Sequence, residues 1–148
     1  MPLAAMRNDD PDSLVARCLE LVGAAEGLLA DATLRVRERV SADGRVQGQR
    51  LDREQRAAHG LAWLATYVEA LRQLAAYAER MQAEGTFGEL EDLIVRIGSA
   101  EYFAQILGGI PMSQNEIVRL SDLGLSTSAV AARLTPSVEA FVAEGNTA

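Results

Sequence analysis

Lysine is absent from this 148-residue chain: its 14 basic residues are all arginine. That excludes a Walker-A phosphate loop, a Schiff-base lysine and a lysine general base. A single histidine and a single cysteine leave no material for a Cys/His zinc site, an intrachain disulfide or repeated Glu-x-x-His pairs of a di-iron bundle. Aromatic residues make up only 5% of the chain, and the longest apolar runs are a few residues, too short to span a bilayer. Cations are in deficit, with 21 acidic residues and a net charge of -7. That balance argues against general affinity for nucleic acid or an anionic membrane surface. The first ten residues contain Arg7 but no apolar h-region, so no secretory signal is expected, and a reducing, cytoplasmic setting is the default.

Alanine is what the chain has in abundance, 25 residues within an apolar content of 49%. Small side chains with high helix propensity suit closely packed helices. Residues 1–10 lack periodicity and read as a flexible tail, with residues 11–148 as one helical domain. Asp10 as N-cap and Pro11 at the first helical position would open a helix. Its apolar stripe of Leu14, Cys18, Leu21, Ala25, Leu28, Ala32 and Val36 alternates steps of four and three to an end near Val40. Residues 41–44 are turn chemistry, and residues 45–50 read as a connecting loop.

Asp52 with Gln55 has capping-box spacing and would start a second helix. It carries two apolar stripes: Ala57, Leu61, Leu64, Val68, Leu71, Ala75 and Ala78, then Trp63, Tyr67, Ala70, Leu74, Tyr77 and Met81. Two stripes need neighbours on two sides, so this helix is expected at the centre. Gly85 suits its C-terminal cap. Thr86 with Glu89 would cap a third helix whose buried side is marked by Leu90, Leu93, Ile97, Ala104 and Leu107, widened by Ile94, Phe103 and Ile106. Ser113 with Glu116 would cap a short fourth helix through Ile117, Val118 and Leu120. The segment from Ser128 divides at Thr135 and Pro136 into two helices. The expected class is all-α: an antiparallel bundle of two long helices, a third packed helix and short C-terminal helices.

Candidate chemistry is sparse, and each candidate has a plain structural counterpart. His59 could carry a proton, or be a partly buried histidine bonded to a neighbouring helix. His59, Trp63, Tyr67 and Tyr102 could line a pocket, although helical spacing explains them as core. Glu89, Glu91 and Asp92 complement a helix N-terminus. Arg35, Arg37 and Arg39 are splayed by steps of two and diluted by Glu38. Cys18 lies inside an apolar stripe as a small core residue. The run Gly108, Gly109, Ile110, Pro111, Met112, Ser113, Gln114, Asn115, Glu116 is the least ordinary part. Its glycines allow close approach, and the amides opening the helix expected after Ser113 offer an anion site, so Gly108, Gly109, Ile110, Pro111, Met112, Ser113 and Glu116 form either a structural corner or a docking corner. No metal ligands and no catalytic residues are assigned.

Two strings, HGLAWLATYVEALR at residues 59–72 and the run at residues 108–116, together resemble the amino-terminal extension of bacterial acyl-CoA dehydrogenases of the (2S)-methylsuccinyl-CoA dehydrogenase type, which serve the ethylmalonyl-CoA pathway of acetyl-CoA assimilation. The resemblance extends from about Leu14 to Leu125. It implies a parent enzyme that holds FAD and a glutamate base in its catalytic body. No position here matches that glutamate, a flavin contact or an acyl-CoA motif, so the implied role is an accessory domain, without a cofactor of its own. Its expected partners are the catalytic body or another subunit, within a homo-oligomer. The alternative is a free-standing bundle that homodimerises or binds a small apolar or acyl ligand.

Overall fold

The computed structural model describes residues 13–145; Asp10, Pro11 and the expected tail lie outside them. Helix α1 spans Leu14–Val40, and its N-cap is Ser13, whose hydroxyl accepts from the Ala16 amide at 3.2 Å. The expected stripe is buried along its length from Leu14 to Val36. A tight hairpin follows, pairing β1 (Ser41–Ala42) with β2 (Arg45–Val46). Asp43 at φ 51° and Gly44 at φ 75° form its turn. Positive φ at both central residues gives the twist that a two-residue hairpin needs.

Residues 48–53 are not loop: they form a short helix α2 (Gly48–Arg53), so Asp52 lies inside it and caps nothing. Helix α3 (Gln55–Ala83) takes Glu54 as its N-cap, without a side-chain cap bond, and ends before Gly85 at φ 70°. It runs antiparallel to α1, with Glu26 paired to Arg72 near mid-length and Arg39 to Glu54 at one end. Leu21, Leu28, Leu64, Val68 and Leu71 fill the seam between these helices. Burial of each such side chain contributes roughly 1.5–3 kcal/mol before its entropy cost.

Helix α4 (Glu89–Gly108) packs on the second side of α3, as two stripes require. Thr86 is not its cap. Gly88 is the N-cap, and the Glu91 carboxylate reaches back to accept from the Gly88 amide at 2.9 Å. The buried side of α4 agrees with expectation at Phe103 and Ile106 but differs elsewhere: Val95, Ser99 and Ala100 face the core, whereas Leu90, Leu93, Ile94 and Ile97 point outward. The helix is aliphatic over most of its circumference, so periodicity alone does not choose a face. Small residues decide it, because they let neighbouring backbones approach. A Cβ at Gly98 would sit 3.2 Å from Leu74 Cδ1, and the Ser99 hydroxyl lies 3.9 Å from Cys18 Sγ.

After α4, residues 113–120 do not form a helix. Ile110–Pro111 (β3) and Ile117–Val118 (β4) make a second antiparallel ladder, with Ile110 opposite Val118 and Pro111 opposite Ile117. Pro111 holds Ile110 extended, and β-branched Ile117 and Val118 fit a strand better than a helix. Helix α5 (Thr127–Ala131) is capped by Ser126 and so starts one residue before Ser128. Helix α6 (Pro136–Gly145) starts as expected, with the Thr135 hydroxyl accepting from the Val138 amide at 3.2 Å. It lies against α4, and a Cβ at Gly145 would meet Ala100 Cβ and approach the Arg96 carbonyl at 2.9 Å. The described residues thus form a predominantly helical bundle whose only strands are the two short ladders.

Candidate functional site

The second hairpin is the corner singled out in the sequence, and it seats on the first turns of α3. Gly109 at φ 132° lets the chain leave α4. The loop closes through the Met112 amide donating to the Glu116 carbonyl at 2.8 Å. Ile110 and Val118 are buried, while Pro111, Ser113, Glu116 and Ile117 are exposed. Gly60 makes the seat: a Cβ there would overlap Val118 Cγ2 and reach Leu123 Cδ2 at 3.4 Å. Arg56 donates to the Ile117 carbonyl at 2.9 Å, and Arg39 donates to the Asp122 carbonyl at the same distance.

This arrangement brings His59 beside the corner. Gln55, Arg56, His59 and Glu116 line one open groove. His59 is exposed, not partly buried, and its partner is on its own helix: Trp63 Nε1 donates to His59 Nε2 at 3.0 Å. Nε2 is therefore an acceptor in this pair, which places the proton of the neutral ring on Nδ1.

The other two aromatic candidates form a separate pair. Tyr67 and Tyr102 meet edge to face at 5.0 Å, and the Tyr67 hydroxyl donates to Gln105 Oε1 at 2.7 Å. Burial, followed by the nearby Tyr102, pushes the Tyr67 hydroxyl above the usual phenol range. These contacts lock α3 to α4.

Among the remaining candidates, Cys18, Asp92 and Arg35 have structural partners. Burial pushes the Cys18 thiol up to about 11 despite the Ser99 hydroxyl nearby, so little reactive thiolate forms at neutral pH. Asp92 and Arg96 pair through two bonds of 3.1 Å. Arg35 pairs with Glu38 at 3.2 Å. No group of three or more His, Cys, Asp or Glu side chains among the described residues is placed to hold a metal ion.

Two features escaped the sequence reading. Phe103, Leu107, Leu134, Val138 and Val142 line an apolar groove of about 340 Å3 between α4 and α6; the alternation of apolar residues in both helices was visible, but their mutual packing was not. The outward aliphatic flank of α4 is the second.

No family model matches the chain. Over 100 residues it is 54% identical to (2S)-methylsuccinyl-CoA dehydrogenase of Cereibacter sphaeroides, a match covering 68% of this chain and 18% of that enzyme. This chain is related to an acyl-CoA dehydrogenase. It spans less than a fifth of that dehydrogenase, so the similarity concerns one part of a much longer polypeptide. No helix among the described residues is long and apolar enough to cross a membrane.

Proposed function

We propose that this chain is the accessory amino-terminal helical domain of a flavin-dependent acyl-CoA dehydrogenase of the methylsuccinyl-CoA type, a docking or assembly module without catalytic residues of its own. The 54% identity over 100 residues to one part of that enzyme carries the reading. The chemistry of the described residues supports it. The Cys18 thiol is buried with a raised pKa, and His59 engages Trp63 on an open surface. The groove at His59 is open, and the Arg56 guanidinium beside it donates to the Ile117 carbonyl. FAD belongs, on this reading, to the rest of the enzyme.

Mixing the chain with the C. sphaeroides enzyme deleted of its matched segment tests the proposal by calorimetry and by assay of methylsuccinyl-CoA oxidation. Association, with no turnover by the chain alone, is the expected result. Absence of binding together with unaltered activity of the shortened enzyme would refute it. The groove between α4 and α6 favours a second reading, a bundle that binds a small apolar or acyl ligand. Saturable binding of a fatty acyl probe, lost on Val138→Glu, would support that instead.

A further inference from the structure

Helix α4 carries more aliphatic surface than the bundle covers. Leu90, Leu93, Ile94 and Ile97 are 64, 46, 47 and 50% exposed. Their spacing of three, four and seven places them on one flank, opposite Val95, Ser99 and Ile106. A single exposed leucine is ordinary, but a contiguous stripe of four large aliphatics marks a contact surface.

Charge around the stripe discriminates between occupants. Glu101 continues the same flank one turn beyond Ile97, and Glu89 borders the flank at its other end; both are exposed, and neither has an ion-pair partner among the described residues. A second copy laid antiparallel on this flank would bring Glu101 of each molecule toward Glu89 of the other. A parallel copy would oppose the two Glu101 carboxylates. Either pairing sets like charges together in a chain of net charge -7. A partner with arginine or lysine at those two places avoids the repulsion. About four-fifths of the related dehydrogenase lies outside the matched stretch.

We propose that the flank of α4 formed by Leu90, Leu93, Ile94 and Ile97 is the surface on which the rest of the dehydrogenase seats, through an aliphatic face with cations opposite Glu101 and Glu89. This assignment rests on the accessory-domain reading above, and its test separates the two. Ile94→Cys is labelled with an uncharged maleimide, and modification at residue 94 is followed by peptide mass spectrometry. The free 148-residue chain is compared with a chimera in which it replaces the matched segment of the C. sphaeroides enzyme. Labelling is expected to be at least about tenfold slower in the chimera. Leu93→Glu with Ile97→Glu, both at exposed positions, should leave helical circular dichroism unchanged and release the domain when the chimera is cleaved at a protease site engineered after residue 148. A domain that separates without these substitutions overturns the accessory reading itself. A domain that stays bound while residue 94 labels at the free rate, or while carrying both glutamates, overturns only the surface. A free chain of doubled mass by light scattering, already protected at residue 94, also overturns the surface assignment in favour of self-association.

Discussion

Replacing Gly60 by alanine tests the seating of the hairpin on α3. In an open helical position the change stabilises by about 0.5–1 kcal/mol, because alanine loses less backbone entropy. Gly23 is such a position, within α1 and with nothing within 4 Å of where a Cβ would stand. At Gly60 the added methyl would overlap Val118 Cγ2 and sit 3.1 Å from Val118 Cβ. Overpacking of this kind costs typically 1–3 kcal/mol, which exceeds the entropic gain. Urea melts should therefore show Gly23→Ala more stable than the parent chain and Gly60→Ala less stable by about 1–2 kcal/mol, equivalent to a fall of about 4 °C per kcal/mol in thermal midpoint. Val118→Ala should cost stability on its own, yet cost less when Gly60→Ala is present, since it removes the overlapping methyl. A Gly60→Ala chain as stabilised as Gly23→Ala would refute the close packing of β4 on α3.

Other outcomes follow from the same contacts. The folded pKa of Cys18, about 11, lies above its ordinary 9.0; the fold therefore prefers the thiol, and its contribution is complete below pH 9 and lost as pH rises toward 11. Cys18→Ala should flatten part of that alkaline limb in equilibrium melts, and the native thiol should react with a disulfide reagent only after denaturant is added. Asp31 is held below the usual carboxylate range by the hydrogen bonds and charge of Arg133, at 2.7 and 2.8 Å; its contribution is present above the unfolded pKa and lost as pH falls through the lowered value. Asp31→Asn should flatten the acid limb of a pH-stability curve, modestly because both side chains are partly exposed. Phe103→Ala, at a fully buried site, should cost roughly 3–5 kcal/mol in urea melts. His59→Ala should change stability by no more than about 0.5 kcal/mol while shifting the emission of Trp63, whose indole loses its acceptor.

Long elements were legible in the sequence because their stripes are strict. Leu14 to Val36 and Ala57 to Ala78 alternate steps that only one helical face satisfies, and those residues are buried apart from half-buried Leu61. Turn chemistry at Asp43 and Gly44, and the cap at Thr135, were equally readable because φ preference and side-chain capping are local properties. The buried face of the first half of α4 was not, since aliphatic residues surround that helix and small Ser99 and Ala100 carry the decisive packing without a strong hydrophobic signal. Ser113 and Glu116 have the spacing of a capping box, but Pro111, Ile117 and Val118 favour extended backbone, and the buried seat at Gly60 stabilises the hairpin through contacts distant in sequence. The proximity of His59 to Glu116 followed from that seating and had no local signature.

Helix α4 is gripped from two sides, by Leu74 against Gly98 and by Gly145 against Ala100 and the Arg96 backbone. A rod wedged this way cannot roll about its axis without displacing both neighbours. Whatever meets its outer side therefore encounters a template already set, so most of the ordering entropy falls on the visitor.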